Sequence, residues 1–323
     1  MFTIETRPIG PIEGTEPQTD YILANTSTGE WATILPEFGG ILRQLVLRKG
    51  ESRYTLINSP GSAQALLADE TYASALLYPF PSRVFQGNYR FDGETYALPV
   101  NESMHENAIH GFVHPKPFQV VRQEATPEHA LLSIAYAYTG DVPGYPFPFR
   151  LTVTYALSAQ GLTLEFEALN TGVNRSPAAF GWHPYFTLNN TETDNLTLTL
   201  PAKTMITLDE HMIANGRQPA PTERLGTFSL KEVELDTPWV AEFSDAEGSK
   251  QAITRLQWPS EDVTLEITQS DSLGYVVVYT PTRRDSIAIE PQTANVNAFN
   301  NGEGLTILNP GETLSGQIGV RLV

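Results

Sequence analysis

One acidic and two basic side chains sit in settings unlike the rest of this chain's charged residues. Ser286-Ile287-Ala288-Ile289-Glu290-Pro291-Gln292-Thr293-Ala294-Asn295 is an apolar run that meets a carboxylate and then a proline. Pro291 fixes its own φ and pushes the residue before it toward extended geometry, which predicts Glu290 at a strand end rather than on a solvated helix face. Glu106-Asn107-Ala108-Ile109-His110-Gly111-Phe112 and Phe180-Gly181-Trp182-His183-Pro184-Tyr185-Phe186 each place one histidine among apolar and aromatic residues. A carboxylate and imidazoles drawn from distant parts of a chain make an acid–base site, since moderate pKa shifts bring both groups into use near neutral pH. Each also has a plainer reading: Glu290 as a surface carboxylate, His183 as a core histidine with a satisfied nitrogen, and Trp182, Tyr185 and Phe186 as ordinary core aromatics.

Other chemistries are harder to place. The chain has no cysteine, which excludes disulfides, thiolate catalysis and cysteine-ligated metals. It shows no Gly-rich phosphate loop, no Gly-x-Ser-x-Gly elbow and no His-Glu-x-x-His helix. His105, His110 and His114 lie close enough in sequence to raise a metal site. However, His110 and His114 share a face only in a helix, and Gly111 and Pro115 oppose one, so no metal is expected. The formal charge of −17 repels phosphate backbones and anionic membranes, and the basic residues are scattered, so neither nucleic acid nor membrane is an expected partner. No apolar run approaches the ~18 residues a membrane helix needs, and Met1–Arg7 lacks a basic region followed by an apolar one, so a cytoplasmic location is expected.

The elements that must position these groups read as strands. Trp31–Leu35, Ile41–Leu47, Ala130–Tyr138, Phe149–Leu157, Leu162–Leu169, Leu196–Leu200, Val263–Ile267 and Tyr275–Tyr279 are strand-like, many with apolar residues at every second position. Asp92-Gly93 and Gln160-Gly161 punctuate such runs as hairpin turns. Helical signal is confined to Ala63–Ala68. At 41% hydrophobic and 18% charged residues the chain is an ordinary globular one, and without a linker or repeat it is read as one domain over residues 1–323. The class is all-β, a large two-layer sandwich or a closed barrel.

Four ordered segments carry a resemblance. Asn107-Ala108-Ile109-His110-Gly111, Gly181-Trp182-His183-Pro184-Tyr185-Phe186 and Ile289-Glu290-Pro291-Gln292 stand in the order seen in aldose 1-epimerases, and Pro81-Ser82-Arg83-Val84 is followed by a strand, the Asp92-Gly93 turn and a strand. The chain therefore resembles the galactose mutarotase (aldose 1-epimerase) family over nearly its whole length. The resemblance implies an all-β supersandwich and an isomerase that interconverts the α and β anomers of a free hexose such as galactose or glucose by acid–base ring opening and closure, with no metal or organic cofactor. It implies Glu290 as general base, His183 as general acid, and His110, Arg83 and Asp236 as sugar-binding residues. Two departures are visible: Ser82 precedes the arginine where the family has asparagine, and Phe112-Val113-His114 follows His110-Gly111. Rival readings are a sugar-phosphate epimerase, with Lys116, Arg150 and Arg175 as the conceivable phosphate ligands, a non-catalytic sugar binder of the same fold, and a glycoside hydrolase using Asp236 with Glu290.

Overall fold

Alternation of apolar and polar side chains fixes which face of each strand is buried. In Phe149–Ser158 the residues Phe149, Leu151, Val153, Tyr155 and Leu157 point into the core, and in the next strand, Gly161–Asn170, Leu162, Leu164, Phe166 and Ala168 do the same. These two strands pair antiparallel through the Gln160-Gly161 turn, with Ser158 opposite Gly161.

The computed structural model describes residues 1–9, 18–114, 116–246 and 249–323, so Pro115 lies outside the described residues. Among these residues the strands form large sheets of five, ten and eight strands, with two-stranded pairs beside them. The five-stranded sheet runs in chain order from Phe2–Ile9 to Ser52–Thr55, and its strand Gln18–Asn25 packs across His129–Tyr138 and Phe149–Ser158 of the ten-stranded sheet. In that long sheet the last strand, Thr313–Leu322, inserts between Gly161–Asn170 and Val263–Ser270. The eight-stranded sheet contains, in spatial order, Asp236–Val240, Tyr275–Tyr279, Ile287–Gln292, Gly181–His183 and Ala75–Leu77. Side chains of all three sheets, among them Ile34, Tyr155, Phe166, Trp182, Val276 and Ile289, share one buried cluster, in which Phe166 and Phe180 stack at 3.8 Å. The all-β supersandwich follows, and Ala63–Leu67 is a short helix as expected.

One local expectation is corrected. The strand Ile287–Gln292 does not end at Glu290 but continues through Pro291, which pairs with Val276. Ile289 N–H meets Pro184 O at 3.4 Å, so by alternation the nitrogen of Pro291 faces the same neighbour. That neighbour is itself broken at Pro184, between Gly181–His183 and Tyr185–Phe186. A missing donor is tolerated where the ladder is already irregular.

Candidate active site

Register sets the central pair. Gly181 lies opposite Gln292 and Tyr185 opposite Ala288, so the same antiparallel register puts His183 directly across from Glu290. Their side chains meet at 3.3 Å, His183 Nε2 to Glu290 Oε1, and both are buried. On the far side Tyr279 pairs with both Ala288 and Asp236, two positions along from the Glu290–Val277 pair. Residues two apart share a face, so Glu290, His183, Tyr185, Tyr279 and Asp236 all belong to one face of this sheet.

The opposite face explains the other aromatics. Trp182 and Phe186 are wholly buried in the main core and meet edge to face. They are out of reach of a sugar. Tyr185, one position out of phase with them, lies beside His183 with ring centroids 5.1 Å apart.

A short ladder supplies the remaining groups. Arg83–Val84 pairs with Ala108–Ile109, Arg83 opposite Ile109, and Ser82 and His110 continue it by one step: His110 N–H donates to Ser82 O at 2.9 Å and Ser82 N–H donates to His110 Nδ1 at 3.3 Å. Ser82 and His110 both have positive φ, 53° and 61°, a conformation that L residues adopt sparingly and that turns both side chains out of the strand path. Gly111 follows with φ 67°, and a Cβ there would lie 2.1 Å from Tyr78 O. Only glycine lets the chain cross that carbonyl, and the crossing carries His110 to within 5.2 Å of the His183 ring.

Arg83 is held by a residue that the sequence did not single out for chemistry. Its Nε donates to both carboxylate oxygens of Glu102 at 3.0 Å and its Nη2 donates to Oε1 at 2.7 Å. Such a fork fixes the guanidinium plane. Asn107 Nδ2 braces the same carboxylate at 3.2 Å. Asn101 similarly ties Ile109 at both its N–H and C=O and donates to the Tyr72 hydroxyl, whose ring stands 4.7 Å from His110. Gln292 Nε2 donates to Glu290 Oε2 at 3.0 Å, and Gln292 Oε1 accepts from Ser82 Oγ at 3.1 Å. Gln292 was findable from spacing alone, being two residues after Glu290 on the same strand face.

Burial controls the protonation of the cluster. It pushes the Glu290 carboxyl up to about 8, helped by the negative charge of Asp236 and opposed by the Gln292 hydrogen bond and Arg83. It pushes His183 down to about 4, with the charge on His114 adding to the effect and Asp69 opposing it. His110 is held well below the usual imidazole range by burial, and by the charges on His183, Arg83 and His114. Asp236 has an exposed side chain but protein on most sides; desolvation raises its pKa, Arg83 and His105 lower it, and Glu102 raises it. Asp236 therefore lies in the fields of Arg83 and Glu102, and Glu290 in those of Asp236 and Arg83. Arg83 is the basic side chain felt by Glu290, His110 and Asp236 alike.

Of the other residues singled out from the sequence, the three conceivable phosphate ligands lie apart from this arrangement. Arg175 is paired to Asp92, Arg150 is exposed on the ten-stranded sheet, and Lys116 is exposed in the loop whose carbonyl receives Gly39 N–H. His114 does approach the cluster, packing edge on against Phe38 with its ring 6.0 Å from Tyr72. Among the described residues no three His, Asp or Glu side chains are grouped so as to hold a metal ion.

A carboxyl and an imidazole side by side, with an arginine and a second imidazole near them, have the chemical means to take a proton from one oxygen and deliver one to a neighbouring oxygen. Residues 23–321 match the family described as Aldose 1-epimerase. The uncharacterized Escherichia coli protein YihR is 29% identical over 240 residues, covering 73% of this chain and 75% of YihR. Galactose mutarotase of Sus scrofa is 27% identical over 176 residues, 52% of this chain and 48% of that protein. A galactose mutarotase-like protein from Clostridium acetobutylicum has a TM-score of 0.87 at 20% identity, covering 99% of this chain and 98% of that one. Galactose 1-epimerase from Lactobacillus acidophilus has a TM-score of 0.83 at 17% identity, covering 99% of each chain. At those identities the two structures share the fold.

Proposed function

The chain belongs to the aldose 1-epimerase family, and from that premise we propose that it interconverts the α and β anomers of a free hexose by acid–base opening and closure of the ring. One observation carries the reading: His183 Nε2 and Glu290 Oε1 face each other at 3.3 Å. The anomeric hydroxyl and the ring oxygen share one carbon, so the groups that serve them must stand side by side. A hydrolase acting between two carboxylates needs them separated across the bond, whereas the 3.3 Å partner of Glu290 is an imidazole.

The pair needs one proton between its members. At neutral pH the opposed shifts leave that proton on Glu290 and His183 uncharged. Bound sugar redistributes it: a C1 hydroxyl donating to Glu290 favours the carboxylate, and the proton crosses to His183. Glu290 then takes the C1 hydroxyl proton while His183 protonates the ring oxygen, the ring C–O bond breaks, and the open aldehyde forms. Rotation about C1–C2 presents the other carbonyl face. Closure reverses both transfers, leaving Glu290 as carboxylate and His183 as imidazolium, and the proton returns from His183 to Glu290 as the sugar leaves. His110, whose Nδ1 accepts from Ser82, carries its proton on Nε2 and presents a donor to the sugar, and Arg83 offers the guanidinium edge that Glu102 does not occupy. Asp236 accepts hydroxyl hydrogen bonds from the rim.

Two carboxylates, Asp236 and Glu102, stand around one arginine, and Glu102 already occupies its fork, which favours a neutral sugar over a phosphorylated one. The experiment is a polarimetric or NMR screen of anomerisation over free hexoses, pentoses and hexose 6-phosphates. Acceleration of galactose or glucose above the spontaneous rate is the expected result, and acceleration confined to the 6-phosphates would replace the substrate class.

A further inference from the structure

Glu290 has two carboxylate oxygens and they are treated differently. Oε1 meets His183; Oε2 accepts from the Gln292 amide. A side-chain amide is ambidextrous: turned over, it would present an oxygen to Glu290, and an oxygen there favours the protonated acid. The carboxylate takes the N–H end of the amide, which leaves the amide oxygen to the partner at the other end. That partner is Ser82, whose Oγ–H reaches Gln292 Oε1 at 3.1 Å. The same residue fixes His110 through its backbone, with Ser82 N–H on Nδ1 at 3.3 Å. Ser82 is buried and has φ 53°, so its backbone is held in a sparsely populated conformation that serves both contacts at once.

We propose that Ser82 is a positioning residue for the reaction: its hydroxyl holds the Gln292 amide with its N–H toward Glu290, and its backbone N–H selects the His110 tautomer that donates from Nε2. Neither Ser82 nor Gln292 reacts. Together they bias the base toward the carboxylate form that accepts the C1 hydroxyl proton. The other groups facing Glu290 are His183 from Gly181–His183, Asp236 from Asp236–Val240, Arg83 from Arg83–Val84 and Tyr185 from Tyr185–Phe186. None of these touches the Gln292 amide in the way Ser82 does, so the effect of Ser82 is separable from theirs. The inference rests on the proposed acid–base role of Glu290, and its readout is therefore taken both on turnover and on the carboxyl group itself.

The test compares wild type, Ser82→Ala, Ser82→Thr, Gln292→Met and the Ser82→Ala/Gln292→Met double variant of the full chain. Two quantities are followed: the pH dependence of galactose mutarotation, and the Glu290 titration by carbon NMR of side-chain carboxyl-labelled protein without sugar. Ser82→Ala keeps the backbone contact to His110 but frees the amide, so the high-pH limb and the carboxyl titration should both move up, on the order of one unit. The Michaelis constant should change less than kcat. Gln292→Met should shift the titration in the same direction, the double variant should match Gln292→Met alone, and Ser82→Thr, which keeps the hydroxyl, should restore the wild-type position. If Ser82→Ala leaves the titration in place while Gln292→Met moves it, or if the two shifts add, Ser82 does not act through Gln292 and the proposal falls. Should Ser82→Thr fold poorly, the single and double variants still decide it. A protein that shows the carboxyl shifts but no mutarotation would keep the relay and remove the assigned reaction.

Discussion

At the scale of single residues, His183 and Glu290, the proposed acid and base, are one coupled unit, and their titration belongs to the pair. With His183 lowered to about 4 and Glu290 raised to about 8, the pair holds a single proton between those values. Below the lower limit both members are protonated and no base remains. Above the upper limit the last proton leaves and no acid remains. Mutarotation by the wild type should therefore trace a broad bell with limbs near 4 and 8, read as initial rates corrected for spontaneous and buffer-catalysed anomerisation. Glu290→Gln should lower kcat by roughly 10²–10⁴ while sugar affinity, measured by calorimetry, stays close to wild type. His183→Asn keeps a polar group of similar reach but cannot pass a proton. In that variant the limbs of the coupled pair should collapse to the titration of Glu290 alone, with kcat reduced and the Michaelis constant changed less. An unchanged bell at the wild-type rate would make another residue the acid, and His110 would be the first to test.

The structural elements show why some of this was legible in the sequence and some was not. Period-two patterning located the strands well: Tyr275–Tyr279 matches its expected limits, and Phe149–Ser158 and Gly161–Asn170 extend the expected runs by a residue or so at their ends. Glu290 and His183 stood out because charged or titratable groups inside apolar runs are costly to bury unless something faces them. What faced them was not readable, since pairing of residues 107 positions apart depends on register, which one strand does not reveal. The strand end expected at Glu290 was a misreading of Pro291, whose effect is absorbed by the break at Pro184. Glu102, Asn101 and Ser82 were hidden for another reason. They lie in loops or at strand margins where polar residues are common, and their roles come from fixed hydrogen bonds that no local pattern announces. Gly111 is a useful probe of this scale, because its φ of 67° and the 2.1 Å approach to Tyr78 O leave no room for a side chain. Gly111→Ala should cost at least about 2 kcal/mol of stability and displace His110. Denaturant melts should show the loss, and in the surviving folded fraction the Michaelis constant should rise.

For the whole molecule, burying a carboxyl at the centre of the site has a consequence for stability that can be signed. In the unfolded chain Glu290 titrates near its ordinary value of 4.5, while in the fold it holds its proton to about 8. Between these values the native state binds more protons than the unfolded state, so this residue's contribution to stability falls as pH rises through the window. His183 acts in the opposite sense at lower pH: its folded value near 4 lies below the ordinary 6.5, so its contribution is present above 6.5 and is lost as pH falls toward 4. Glu290→Gln removes the first effect and keeps the shape. The variant should therefore be more thermostable than wild type at pH 8, with the difference shrinking toward pH 5, as read by scanning calorimetry at fixed ionic strength. A difference in melting temperature independent of pH would mean that Glu290 does not carry its proton into the fold.

The cross-strand placement of His183 and Glu290 also bears on the order in which the protein would lose its abilities. Their separation is set by two neighbouring strands within the eight-stranded sheet, backed by Trp182, Ile287 and Ile289 of the main core, whereas Arg83 and His110 hang from a two-stranded ladder. Sub-global opening follows the size of the cooperative unit, so in sub-denaturing urea the two-residue ladder should exchange its amides before the eight-stranded sheet does. Recognition and chemistry then come apart: weakening affinity should precede any fall in saturated turnover, and the acid–base pair should persist until the molecule as a whole gives way.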